Sequence, residues 1–74
     1  MEKFYSVVPA STLPGLTLAY EIVSQIINPN GSLTGKWLLE GEHSTEQLAE
    51  IEQLGGQNFT QAEYMQYLED LINN

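Results

Sequence analysis

The chain has 74 residues, of which ten are acidic, two are lysine and none is arginine or cysteine, for a formal charge of −8 at neutral pH. That length holds one hydrophobic core and hence one domain, residues 1–74. The charge opposes binding to nucleic acid and to anionic lipid, which both require Lys or Arg to displace counterions. The lack of cysteine excludes disulfides and thiolate chemistry.

The N-terminus, Met1-Glu2-Lys3-Phe4-Tyr5, has no basic stretch leading into a long apolar run. No signal peptide is expected, and a cytoplasmic location is the default. Lys3 to Val8 is rich in aromatic and β-branched residues and stops at Pro9, which predicts a first strand. Pro9 to Gly15, with Pro14, Ser11 and Thr12, predicts a loop anchored to the core by Leu13.

Leu16 to Ile27 can be read in two ways. As a helix it would place Leu16, Ala19, Tyr20, Val23 and Ile27 on one face and leave Leu18 and Ile22 off it. As a strand it aligns Leu16, Leu18, Tyr20, Ile22 and Ile26, with only Ser24 breaking the pattern. The next four residues, Asn28-Pro29-Asn30-Gly31, decide for the strand. Pro29 presets φ at the second position of a type I turn, Asn28 can bond the turn backbone, and Gly31 supplies the closing positive φ. Leu16–Ile27 and Leu33–Glu40 thus become the arms of a hairpin. The expected register sets Ile27 opposite Ser32, Ile26 opposite Leu33, Ile22 opposite Trp37 and Tyr20 opposite Leu39, with Trp37 on the core side. Thr17, Glu21, Ser24 and Gln25 interrupt the apolar run, so no membrane span is expected. Asn30-Gly31-Ser32 and Asn58-Phe59-Thr60 match glycosylation sequons, which have no meaning without secretion.

Two helices follow. Ser44-Thr45-Glu46-Gln47 is a capping box, after which Leu48, Ile51 and Leu54 form an apolar stripe that ends at Gly55-Gly56. Thr60-Gln61-Ala62-Glu63 is a second capping box, with Phe59 and Tyr64 placed for a hydrophobic staple. Tyr64, Met65, Leu68, Leu71 and Ile72 make the buried stripe of the last helix. The predicted fold is α+β, in the order β-β-β-α-α: a three-stranded antiparallel sheet with both helices on its one apolar face. A helical 16–27 would instead give β-α-β-α-α.

The residues point away from catalysis. His43, between Glu42 and Ser44 with Glu46 nearby, lacks the spacing and the second His or Cys of a metal site, and reads as an exposed loop residue. Glu40, Glu42, Glu46 and Glu50 fall on a hairpin end and an outer helix face, where water keeps them all ionised. No cofactor site is visible. The serines share one histidine and no oxyanion motif, so no nucleophilic triad is supported.

Two features point to recognition instead. Glu46, Glu50 and Glu52 have no lysine three or four positions away, and Glu46 and Glu50 repel each other. Glu69 and Asp70 stand in the last turns of a helix, where the macrodipole disfavours anions by about 0.3–1 kcal/mol each. A chain carrying such penalties fits docking to a basic surface. The expected outer sheet face adds Val23 and Leu38 at its middle, rimmed by Glu21, Gln25, Lys36 and Glu40.

These residues define a candidate partner-binding surface of Glu21, Val23, Lys36, Leu38, Glu40, Glu42, Glu46 and Glu50. The leading expectation is a non-enzymatic module that inhibits or adapts a larger, basic-surfaced protein. The runner-up is an acidic mimic of nucleic acid, of the phage anti-restriction or anti-CRISPR type, filling a nucleic-acid-binding groove. A sheet edge open to a second copy of the chain is a further route to association.

Overall fold

A computed structural model describes residues 2–73. In chain order it contains strand β1 (Phe4–Pro9), a 3-10 helix (Ala10–Gly15), β2 (Ile22–Ile27), β3 (Leu33–Gly41), helix α1 (Thr45–Gln53), β4 (Gln57–Phe59) and helix α2 (Gln61–Ile72). The fold is α+β with a four-stranded antiparallel sheet of order β2-β3-β1-β4, one strand more than the three expected.

The turn forms as its residues dictate. The Asn28 carbonyl accepts from Gly31 N–H at 2.8 Å, Asn28 N–H donates to the Ser32 carbonyl at 2.8 Å, and Gly31 has φ +89°. The arms pair differently from expectation. Ile27 faces Leu33, but Ile26 then faces Lys36, Gln25 faces Trp37, Val23 faces Leu39 and Ile22 faces Glu40. A bulge in β3 takes up Thr34 and Gly35: Gly35 has φ +75°, and Thr34 Oγ1 donates to the Ile26 carbonyl at 2.7 Å and accepts from Lys36 N–H at 3.1 Å. The pairing is displaced from the expected register by one residue at Ile27 and by three beyond the bulge, an odd step, so side chains expected to share a face separate. Ile22 parts from Trp37 and Leu39, and Val23 joins them.

Residues 16–21 form neither the first half of a long strand nor a helix. They run as irregular chain along α1.

Both faces of the sheet are covered. On one side Val7, Ile26 and Leu38 are buried beneath Tyr64, Tyr67 and Leu71 of α2, with Tyr5 and Phe59 alongside. On the other, Val8 and Leu39 pack with Ile51 of α1, and Leu13, Leu16, Tyr20 and Trp37 close around them. The helices therefore lie on opposite faces rather than together on one. The consecutive apolar pairs Val7-Val8 and Leu38-Leu39 are the signature of strands buried on both sides.

The cap motifs are present as read. Ser44 accepts from Gln47 N–H while the Gln47 side chain accepts from Ser44 N–H, and Thr60 and Glu63 do the same for α2. α1 ends in a Schellman motif, with Gly56 N–H donating to the Ile51 carbonyl at 2.8 Å and Gly55 N–H to that of Glu52 at 3.1 Å. Phe59, expected to staple to Tyr64, meets Tyr67 at 5.5 Å between ring centroids, and Tyr64 stacks on Tyr5 at 5.1 Å.

Candidate interaction surfaces

A cluster that resembles catalytic chemistry is buried. Ser6 Oγ donates to Asn58 Oδ1 at 2.7 Å and lies 3.2 Å from His43 Nδ1; Asn58 Nδ2 donates to the Leu48 carbonyl at 3.0 Å. Because Ser6 spends its single proton on Asn58, His43 Nδ1 must carry a hydrogen and donate to Ser6. That direction is the reverse of what a general base needs to activate a serine. Ser6 is 0% exposed and His43 6% exposed, so no substrate reaches them. The network ties β1, β4, α1 and the loop after β3 together. His43, expected in solvent, is thus an interior residue. Burial holds its pKa below the ordinary 6.5, with Glu21 opposing the shift. Its Nε2 has no hydrogen-bond partner, and its ring meets Tyr20 edge-on at 5.4 Å.

A second cluster centres on Glu50. Its carboxylate accepts from Thr17 N–H at 3.0 Å, Thr17 Oγ1, Leu18 N–H at 3.3 Å and the Tyr20 hydroxyl at 2.9 Å. Gln47 Nε2 adds a bond to the Ala19 carbonyl at 2.7 Å. These donors, Thr17 foremost, pull the Glu50 pKa below the ordinary 4.5. Burial first, and then Glu50, push the Tyr20 hydroxyl above its ordinary range. Glu50 is a clasp that fixes residues 17–20 to α1, which accounts for its place in a like-charge pair with Glu46.

The eight residues of the sequence-derived surface do not form one patch. Leu38, expected in the exposed centre, is 8% exposed and belongs to the core under α2. Val23 stands half-exposed on the opposite face, opposite Leu39. Lys36 and Glu40 share the face of Leu38, and Glu40 is bonded to Lys3 Nζ at 3.0 Å, which also lies 5.6 Å from the Tyr5 ring. Glu21 sits at the start of β2, close enough to Gly41 that a Cβ there would meet its carboxylate at 2.7 Å. Glu42 and Glu46 are exposed on either side of His43.

A different partition emerges. α1 packs against β4, and α2 against β1 and β4. Between them the helices carry Glu46, Glu50, Glu52, Glu63, Glu69 and Asp70 and no lysine. All but Glu50 are exposed. The exposed acids of the two helices therefore stand over both faces of the sheet. The edge strand β2 and the turn after it differ in character. Residues 22–35 contain no charged side chain, and Ile22, Val23, Ile27 and Leu33 are all exposed there. Sequence reasoning missed this partition because it placed both helices on one face; the uncharged run itself was visible.

Two shallow depressions lie on the surface. One runs along α2 between Gln61, Ala62, Met65, Gln66 and Glu69; the other lies between Asn28, Pro29, Asn30, Leu71 and Ile72. Neither brings an acid and a base together. Among the described residues there is no cluster of His, Cys, Asp or Glu fit to hold a metal, and no helix is long and apolar enough to cross a membrane. No family model matches the chain, and no curated protein or solved structure matches it either.

Proposed function

We propose that this chain is a small non-enzymatic binding module that inhibits or adapts a larger protein by laying its acidic helices on a basic surface. The observation that carries this reading is the set of exposed carboxylates on α1 and α2, Glu46, Glu52, Glu63, Glu69 and Asp70, in two helices without a single lysine or arginine. Of the two lysines in the chain, Lys3 is engaged with Glu40 and Lys36 lies on β3. Carboxylates so arranged raise the encounter rate with a positive surface and reject acidic competitors. Ser6 and His43 are both interior, which supports a binding role over catalysis by that pair.

The test is affinity capture from lysate with mass spectrometry, run with the natural chain and with a Glu46→Lys, Glu52→Lys, Glu69→Lys variant. The reading requires a basic protein held by the natural chain at low salt, released at high salt, and lost by the variant. Capture that is indifferent to both salt and charge reversal overturns it. Release of the captured protein by added double-stranded DNA marks its surface as one that binds nucleic acid.

A further inference from the structure

We propose that two copies of this chain pair antiparallel through β2, continuing the four-stranded sheet into one of eight strands with Ser24 on the two-fold axis. β2 is an edge strand, so alternate N–H and C=O groups along its outer side have no strand to pair with. Folded proteins blunt such edges with lysine, proline, an inward charge or a covering loop. Over Ile22–Ile26 this chain uses none of them: the residues are Ile-Val-Ser-Gln-Ile, and Ile22, Val23, Ser24 and Gln25 are all exposed. The bulge falls after this stretch, between Ile26 and Ile27, and leaves it regular.

The regular stretch is its own complement. Two antiparallel strands related by a two-fold axis normal to the sheet keep like faces together, so residues with an even sum stand opposite each other. Centring on Ser24, the middle of the regular stretch, puts Ile22 of each copy opposite Ile26 of the other and Val23 opposite Gln25. Within each copy Ile22 is backed by Glu40 and Ile26 by Lys36 on β3. Every outer row across the pair then runs Glu40, Ile22, Ile26, Lys36, with an acid at one end and a cation at the other. No like charges meet at the axis. Two chains of charge −8 repel, so the pairing is expected to strengthen as salt screens them. A five-residue ladder with its flanking aliphatic side chains falls below the roughly 1,200 Å² of a standard interface, the class of weak and transient association.

The pairing goes beyond the function proposed above and does not depend on it. Where both hold, the dimer carries two sets of acidic helices and engages basic surfaces bivalently.

Because the chain has no cysteine, single-cysteine variants report the register directly. Sedimentation equilibrium of the natural chain from micromolar to millimolar concentration is expected to show its mass rising from 8.3 kDa toward twice that value. Ser24→Cys is expected to form a disulfide dimer under mild oxidation. Ile22→Cys is not, since its two copies stand four residues apart along the ladder, about 13 Å. Ser24→Lys sets two ammonium groups face to face on an exposed position and is expected to weaken association by about tenfold or more with an unchanged circular dichroism spectrum. A mass fixed at 8.3 kDa up to millimolar concentration overturns the proposal. So does a dimer in which Ile22→Cys links as readily as Ser24→Cys, or one that Ser24→Lys leaves intact. A strict monomer that still binds a basic protein refutes only the pairing, and a dimer that binds none refutes only the function.

Discussion

Gly56 lies against Val8 with no room for a methyl group between them. A Cβ at Gly56 would stand 2.6 Å from Val8 Cγ1, 2.7 Å from Ile51 Cγ2 and 2.9 Å from the Val7 carbonyl oxygen. This contact brings the end of α1 onto β1 and lets β4 start at Gln57. Gly56→Ala must displace two buried side chains and a backbone carbonyl, and is expected to destabilise the fold by about 1–3 kcal/mol. Urea unfolding of the variant beside the natural chain measures it. An unchanged midpoint would mean that the α1–β1 contact is looser than described.

Val23 and Leu38 should respond in opposite ways to truncation. Leu38→Ala opens a cavity between the sheet and α2 and is expected to cost about 2–5 kcal/mol. Val23→Ala, on the uncovered edge strand, is expected to stay within about 1 kcal/mol. Equal losses in denaturant midpoint would contradict the assignment of these side chains to opposite faces.

The Glu50 clasp predicts a local effect. Glu50→Ala removes the acceptor shared by Thr17, Leu18 and Tyr20, so the Thr17 and Leu18 amides should exchange faster with solvent and proteases should gain access to residues 16–21. The amides of β1 and β3 should keep their protection. Protection at Thr17 and Leu18 that survives the substitution would show that another contact holds this segment.

Acid should weaken the fold in two steps of the same sign. His43 is held neutral in the folded chain with its pKa below 6.5. As pH falls through 6.5 the unfolded chain takes up a proton that the folded chain refuses, and stability drops until the lowered folded pKa is reached. Glu50, also lowered, contributes stability present above 4.5 and lost as pH falls through its folded pKa. His43→Gln should abolish the step that begins near 6.5 and leave the carboxylate step in place. Thermal unfolding midpoints from pH 8 to pH 3 separate the two, and a step near 6.5 that persists in His43→Gln would assign it to another group.

Much of the local structure was legible because it depends on residues near in sequence. The Asn28–Gly31 turn, both capping boxes and the glycine stop of α1 are each set within about six positions. What depended on distant partners was not. Pairing of Ile27 with Leu33 and the two-residue Thr34–Gly35 bulge together move the hairpin register by three, and α2 covers the face that carries Leu38. β4 is only Gln-Asn-Phe, too short to show alternation, and exists because Gly56 lets the chain reach β1. Val7-Val8 and Leu38-Leu39 carry the signal for a sheet covered on both faces, whereas the alternation along the hairpin arms points to a sheet covered on one. His43 reads as a loop residue until Ser6 and Asn58 from two other strands close around it.

The most direct test of the acidic-helix account is the salt dependence of affinity for the captured partner, measured by calorimetry on the natural chain and on Glu46→Gln, Glu52→Gln, Glu69→Gln. The account predicts that affinity falls steeply with ionic strength for the natural chain and that the variant is both weaker at low salt and flatter in its dependence. Superimposable curves for the two proteins would contradict it.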